Sequence, residues 1–117
     1  MEEIKSIDRD RLRGWVSDRS DFVLVDIRDS EDYKEMHIPG AKNIGLESKD
    51  FLGEISKLAS DKKTTVVIYC YAGNSSPKVA EKLVKVGYED VYDFSGGMDD
   101  WEDAGYPVEK NGQMIYR

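Results

Sequence analysis

The chain contains one cysteine, Cys70, and its neighbours place the thiol where a strand is followed by a helix. Residues 66–69 are apolar and rich in β-branched side chains, which is typical of a buried strand. After a short polar loop, Ser76 and Pro77 form a helix start signal, with Ser76 as the predicted N-cap. Backbone N–H groups and the positive end of a helix both favour the thiolate, so the pattern indicates a sulfur nucleophile.

A lone cysteine at a strand end is more often a small buried apolar side chain without chemistry. The segment after Cys70 weakens that interpretation, because it is small and polar and contains Gly73, where the backbone can curl around a ligand. A single cysteine excludes an intrachain disulfide, and a zinc site on Cys70 and His37 would need several carboxylates. The sequence therefore indicates neither a metal nor an organic cofactor.

Length and charge limit the functions open to this chain. At 117 residues it is expected to form one domain over residues 1–117. The net charge of −7 argues against nucleic-acid binding and repels small anions, so an anionic substrate must be attracted locally. No apolar run approaches the ~18 residues of a membrane span, and the first residues form no targeting signal. We therefore predict a cytoplasmic protein, since that compartment also preserves a free thiol.

Short apolar runs alternate with amphipathic segments along the chain. The apolar runs predict strands over residues 4–7, 22–27, 41–44, 66–69 and 91–94. The amphipathic segments predict helices after Asp8 with Leu12, Trp15 and Val16, over 30–36, over 48–59, from 76 to Gly87 with Val79, Leu83 and Val86, and after Gly96 with Met98 and Trp101. This alternation predicts an α/β fold with a mostly parallel sheet, in which ligands bind at the carboxyl ends of strands.

Three segments resemble the rhodanese family, in the family's order and spacing. They read VDIR (25–28), EDY (31–33) and HIPGAKNI (37–44), then IYCYAGNSS (68–76), then DFSGGMDDW (93–101) with GYPV (105–108). Together they cover about residues 4–109 and are similar to single-domain thiosulfate sulfurtransferases. The resemblance implies a rhodanese-like three-layer α/β/α fold with a central, mostly parallel five-stranded sheet.

The resemblance implies a sulfurtransferase that works through a Cys70 persulfide. The thiolate would take a sulfur from thiosulfate or another persulfide donor and pass it to cyanide, a thiol or a protein dithiol. Neither a nucleic acid nor a membrane is an expected partner, and the chain is expected to be a monomer or a weak dimer. The loop N–H groups would hold the sulfur, so the implied substrate-binding residues are Tyr71, Ala72, Gly73, Asn74, Ser75 and Ser76.

Two positions depart from the family pattern. Ser75 stands where many members carry an arginine, so thiosulfate would rely on amides, the helix dipole and Lys78, and we expect it to bind weakly. Met36 stands where glycine is common, which predicts a local difference in the turn before His37. Weak thiosulfate binding leaves an alternative open, a sulfur carrier or interaction module that a protein persulfide loads.

A cysteine phosphatase of a related fold is a further alternative. Its loop is one residue longer, is preceded by histidine and ends in arginine. Here Tyr69 precedes Cys70, and the sixth residue after the cysteine is Ser76. Without a guanidinium the charge of a phosphoryl transition state would not be stabilised, so this alternative is disfavoured.

Several polar and aromatic residues have structural interpretations. We expect His37 to tie its turn down through hydrogen bonds and Trp101 to lie in the core. Asp26 and Arg28 are expected to face opposite ways and to pair with other elements, with Arg28 near the mouth of the pocket. Tyr71, next to the nucleophile, is expected to line the pocket or its rim.

Residues 110–117 lie beyond the resemblance. Asn111 and Gly112 form a two-residue hairpin signal between short apolar runs. This segment is expected to be either a small hairpin or a disordered tail, and no function is predicted for it.

Overall fold

The structure is a computed structural model that describes residues 3–18 and 20–117. Strands and helices alternate along most of the chain, as the sequence predicts. The strands are β1 (Lys5–Ser6), β2 (Val23–Asp26), β3 (Lys42–Asn43), β4 (Thr65–Tyr69), β5 (Asp90–Asp93), β6 (Val108–Lys110) and β7 (Gln113–Ile115). The helices are α1 (Arg9–Asp18), α2 (Ser30–Glu35), α3 (Phe51–Leu58), α4 (Ser76–Lys85) and α5 (Gly97–Asp103).

Strands β1 to β5 form a parallel sheet in the order β1-β5-β4-β2-β3. The central strand is β4, and residues 66–69 within it are all buried, which explains their uninterrupted apolar character. This sheet confirms the predicted five strands. It also places Cys70 at the carboxyl end of the central strand.

Two buried clusters fill the space between the sheet and the helices. Successive residues of β4 alternate between them, so the sheet is the middle of three layers. The cluster on the side of α3 and α4 includes Ile55, Val66, Ile68, Cys70, Val79, Leu83 and Val91. The cluster on the side of α1 and α5 includes Leu12, Val67, Tyr69, Phe94, Met98 and Trp101. The predicted three-layer α/β/α fold is confirmed.

Capping side chains set the start of two helices. The Oδ1 atom of Asp8 accepts the backbone N–H of Arg11 at 2.8 Å and begins α1 where predicted. Helix α3 begins at Phe51 rather than near residue 48, because Asp50 is its N-cap and accepts the N–H of Gly53 at 3.2 Å. No helix in the described part of the chain is long and apolar enough to cross a membrane.

The end of α4 agrees with the sequence in one respect and differs in another. Gly87 follows the helix with φ +106°, a left-handed conformation that favours glycine, as predicted. Val86 was expected in the apolar stripe, but it is exposed because it follows the last helical turn as the C-cap. Ala80 is buried beside Val79 and Leu83 instead.

Strands β6 and β7 form an antiparallel hairpin, which is one of the two alternatives left open for this segment. Asn111 at φ +50° and Gly112 at φ +83° make its two-residue turn. The hairpin is joined to the rest of the molecule by a pair of 2.9 Å backbone hydrogen bonds between His37 and Glu109.

Candidate active site

Cys70 is placed by the end of β4 and the start of α4. It follows the last residue of the central strand, and residues 71–75 carry the chain to the first turn of α4. The residue is 6% exposed, so it is largely removed from water. This arrangement is the strand–loop–helix junction that the sequence predicts.

The loop lowers the pKa of the Cys70 thiol. Burial raises that pKa, but hydrogen bonds to the sulfur outweigh it, and the net shift is downward. The donors are the backbone N–H of Ser75, the hydroxyl and backbone N–H of Ser76, and the backbone N–H of Gly73. These groups stabilise the negative charge on sulfur, so the loop favours the nucleophilic thiolate.

The six residues predicted to bind substrate divide into two groups. One group donates hydrogen bonds to the sulfur and comprises Gly73, Ser75 and Ser76. The other group lies exposed on the loop surface and comprises Tyr71, Ala72 and Asn74. Their contact with a substrate stays a prediction.

Ser76 is not the N-cap of α4, so that prediction is wrong. The helix begins at Ser76 itself, the N-cap position is Ser75, and no side chain there caps the helix. The physical reason is that the Ser76 hydroxyl points inward, where its Oγ lies 3.6 Å from the Sγ of Cys70. Pro77 lies in the first turn as predicted, because that position needs no N–H.

Backbone hydrogen bonds from the start of α5 hold the Cys70 loop in place. The N–H of Met98 donates to the carbonyl of Cys70 at 2.9 Å, and the N–H of Asp99 donates to the carbonyl of Tyr71 at 3.0 Å. These bonds direct both carbonyl groups toward α5. The N–H groups of the loop are then left to face the sulfur.

Two glycines allow this close approach of the two loops. Gly97 has φ +67°, and a Cβ there would lie 2.3 Å from the carbonyl oxygen of Tyr71. Gly73 has φ +85°, and a Cβ there would lie 2.4 Å from the carbonyl oxygen of Ser95. Both positions therefore require glycine for conformation and for space.

Tyr71 directly follows Cys70 and has 46% of its surface exposed, and its place at the rim of the site stays a prediction. The guanidinium of Arg28 lies 5.1 Å from the centre of its ring, within the range of a cation–π contact. A hydrogen bond from the Tyr71 hydroxyl to Asp32, together with partial burial, raises the pKa of Tyr71 to about 12. The ring is thus tied to two side chains on the β2–α2 side of the loop.

Arg28 and Asp26 pair with each other, so the prediction that they face opposite ways is wrong. The Nη2 atom of Arg28 lies 2.8 Å from Oδ2 of Asp26, and its Nε lies 3.1 Å from both carboxylate oxygens. Residues two apart at a strand end lie on the same side, and both side chains are buried. Arg28 also donates to the carbonyl of Met36. The backbone at Met36 is extended, a conformation that any residue adopts, so this position does not need the glycine that is common in the family. The charge of Arg28 is already paired.

His37 and Trp101 have the structural roles expected of them. The Nδ1 atom of His37 lies 2.7 Å from the carbonyl oxygen of Tyr33, and its Nε2 lies 3.2 Å from a carboxylate oxygen of Glu109. Trp101 is fully buried and donates its indole N–H to the carbonyl of Pro107 at 2.8 Å.

A shallow acidic cavity of about 160 Å³ lies beside Tyr71. Its carboxylates come from Asp32, Glu35, Asp99 and Glu102. Among residues 3–18 and 20–117, no group of three or more His, Cys, Asp or Glu side chains is arranged to hold a metal ion. The four carboxylates make the surface beside Tyr71 anionic.

Sequence reasoning missed Asp93, the last residue of β5. It is only 7% exposed, and burial raises the pKa of its carboxyl while hydrogen bonding with Ser76 opposes that rise. The sequence position of Asp93 carries a signal for this placement. Asp93 ends a buried strand two residues after Val91, which packs on the α4 side, so both side chains face the same side of the sheet. A carboxylate at that place must lie near the end of β4.

A family model described as "Rhodanese-like domain" matches residues 9–104. The chain belongs to the rhodanese family. This rhodanese is 38% identical over 92 residues to the thiosulfate sulfurtransferase GlpE of Coxiella burnetii, which covers 78% of this chain and 82% of that protein. It is 40% identical over 88 residues to the thiosulfate sulfurtransferase GlpE of Pseudomonas fluorescens, which covers 74% and 75%.

Solved structures share the rhodanese fold described above. The BH2092 protein of Bacillus halodurans superimposes with a TM-score of 0.78 at 27% identity, over 92% of this chain and 78% of that one. The family match and the two curated relatives confirm the resemblance seen in the sequence, and with it the expectation of a rhodanese-type sulfurtransferase.

Proposed function

We propose that this rhodanese moves a sulfane sulfur from thiosulfate, or from another persulfide donor, to a thiophilic acceptor through a persulfide on Cys70. The observation that carries the proposal is the thiol itself, buried at the end of the central strand with its pKa lowered by N–H and O–H donors. Such a sulfur is an activated nucleophile that needs no histidine beside it.

The first half-reaction charges the enzyme. The Cys70 thiolate attacks the outer sulfur of thiosulfate, an S–S bond forms, and the bond to the sulfonate sulfur breaks with its electron pair leaving as sulfite. The new outer sulfur retains one negative charge. The N–H groups of Gly73, Ser75 and Ser76, which already face the thiolate, are placed to stabilise that charge in the persulfide.

The second half-reaction returns the thiolate. An acceptor such as cyanide, a small thiol or a protein dithiol attacks the outer sulfur, and the electron pair of the S–S bond returns to Sγ. Both halves use the same sulfur and the same donors, so the kinetics are ping-pong. The pocket carries a single negative charge on sulfur before and after each half-reaction.

Because the charge around the site is mostly negative, we expect free thiosulfate to bind weakly. Ser75 offers no guanidinium, Arg28 is paired with Asp26, and four carboxylates line the cavity beside Tyr71. Lys78, exposed in the first turn of α4, is the cation left in the neighbouring helix turn to attract an anion. This acidic surrounding favours a second candidate, a sulfur carrier that a persulfidated protein loads.

Intact-mass spectrometry after incubation with thiosulfate tests the proposal. We expect a gain of one sulfur, about 32 Da, that cyanide or dithiothreitol reverses and that the Cys70→Ser variant lacks. A parallel incubation with a persulfidated protein donor separates the two candidates. A gain from the protein donor alone would favour the carrier, and no gain from either donor would overturn the persulfide mechanism.

A further inference from the structure

The Ser76 hydroxyl lies between two ionisable groups. Its Oγ accepts the S–H of Cys70 at 3.6 Å, and hydrogen bonding with the same hydroxyl opposes the rise that burial causes in the pKa of Asp93. Ser76 is fully buried, Cys70 is 6% exposed and Asp93 is 7% exposed. Cys70 follows β4, Ser76 begins α4 and Asp93 ends β5, and the three buried side chains form a row.

Asp93 has an oxygen that the rest of the fold does not use. Within the described residues, its Oδ1 is a buried side-chain oxygen without a hydrogen-bond partner. A buried carboxylate oxygen left unpaired is costly, and such groups call for an explanation. The mechanism proposed above assigns no role to this carboxyl group.

One hydroxyl proton cannot serve both neighbours at once. When Asp93 is ionised, Ser76 donates to it, and the Cys70 thiol can donate to the Ser76 oxygen. When Asp93 is protonated, it can donate to Ser76, and the Ser76 proton becomes free to hydrogen-bond the thiolate. The two arrangements differ only in the position of protons along the row.

We propose that Asp93 is a positioning residue that receives, through the Ser76 hydroxyl, the proton that Cys70 gives up, so that the reactive thiolate lies beside a protonated carboxyl. The S–H bond breaks and its electron pair stays on sulfur, while the proton joins the Ser76 oxygen. The proton of the Ser76 hydroxyl moves to an oxygen of Asp93. One negative charge thus moves from Asp93 to Cys70, and the total is unchanged.

The charge balance supports this transfer. A thiolate beside an ionised carboxylate would bury two like charges close together, which is strongly disfavoured. Burial raises the pKa of Asp93, and the Ser76 hydrogen bond offsets this only in part. The residues opposite Asp93 in the sheet, Ser6 in β1 and Ile68 in β4, carry no charge that would hold it ionised.

Counting protons in wild-type protein tests the inference. Cys70 is the single cysteine, so the ultraviolet absorbance of the thiolate reports it alone. Alkylation with iodoacetamide forms an S–C bond, expels iodide and removes the charge on sulfur, after which Asp93 is free to ionise. At neutral pH we expect thiolate absorbance before alkylation and release of about one proton per alkylated cysteine, measured with an indicator dye in weak buffer.

Variants identify the source of the proton. Asp93→Asn is expected to keep the thiolate absorbance but to release almost no proton on alkylation. Asp90→Asn, which removes a carboxylate from the other end of β5, should behave as wild type. Ser76→Ala should show less thiolate at neutral pH, and adding Asp93→Asn to it should change the Cys70 titration little, because the connection is already broken.

Two results in wild-type protein would overturn the inference, even if no variant folds. Thiolate absorbance without proton release would mean that no proton is stored. Proton release without thiolate absorbance would mean that the proton stays on sulfur. The inference rests on the proposed function for its use in catalysis, but the assay involves no sulfur transfer. Failure of persulfide loading with a normal proton count would therefore reject the proposed function alone.

Discussion

Two concave regions of the described residues differ in size, and the smaller one lies beside the Cys70 loop at Tyr71. A cavity of about 550 Å³ lies between α1, the start of β2 and the terminal hairpin. Large apolar and aromatic side chains line part of it, including Trp15, Phe22, Met114 and Tyr116. Beside the Cys70 loop, an acidic cavity of about 160 Å³ is lined by Tyr71. What distinguishes the second region is a thiol with aligned N–H and O–H donors. Orientation of polar groups, rather than volume, marks the place where chemistry can occur.

The close contact between the Cys70 loop and the start of α5 should orient the donors around the sulfur. If so, adding one methyl group at Gly97 should have the largest effect on activity after loss of the cysteine itself. Gly97→Ala places a Cβ 2.3 Å from the Tyr71 carbonyl oxygen and must displace the loop. We expect sulfur transfer from thiosulfate to cyanide to fall at least ~10-fold, because small displacements of reacting groups are costly. We also expect a loss of stability of about 2 kcal/mol or more on thermal denaturation.

Gly105→Ala is the matched control for that prediction. Its φ of +70° nearly equals the +67° of Gly97, but a Cβ there meets nothing within 4 Å. It should show only the backbone strain of about 1 kcal/mol and near-normal activity. Equal effects of the two substitutions would mean that the contact between the loops does not shape the site.

A smaller effect should come from charge beside the loop. Asp99→Asn removes one carboxylate from the acidic cavity and keeps the backbone N–H that holds Tyr71. The KM for thiosulfate should fall by roughly 2-fold at low ionic strength, and the difference should vanish in high salt. Asp103→Asn, exposed at the end of the same helix, should change KM less. An unchanged KM for both variants would show that the acidic cavity does not affect the donor.

The smallest effect should come from the larger cavity. Tyr116 is 78% exposed at its edge, so Tyr116→Ala should change the free energy of unfolding by no more than ~0.5 kcal/mol. The rate of sulfur transfer should equal that of wild type in the same assay. A clear loss of activity would contradict the comparison, because it would connect the hairpin region to the chemistry.

Local patterns were sufficient to predict most of the fold and the place of Cys70 between a strand and a helix. The strand before Cys70 and the helix start at Pro77 each depend on neighbours in sequence, and both are confirmed. The turn signal at Asn111 likewise marks the hairpin, although a disordered tail was left open there. The family motifs added the five-stranded sheet. These features follow from propensities and periodicity, which a single sequence carries.

The side-chain pairings could not be predicted in the same way. The contact of Ser76 with Cys70 and Asp93 depends on the register of β4 against β5, which brings together residues far apart in the chain. That contact directs the Ser76 hydroxyl inward and moves the N-cap position to Ser75. The Arg28–Asp26 pair was missed for a simpler reason, since residues two apart at a strand end share a side.

The low pKa of the Cys70 thiol depends on residues that come late in the chain, because α5 holds the Cys70 loop in place. Cys70 and its donors lie within residues 70–76, but the N–H groups of Met98 and Asp99 hold the carbonyls of Cys70 and Tyr71 in place. A chain without β5 and α5 lacks this restraint, so we expect its cysteine to have the acidity of an ordinary thiol. During synthesis the sulfur would then become reactive only after the last third of the chain has folded against the loop.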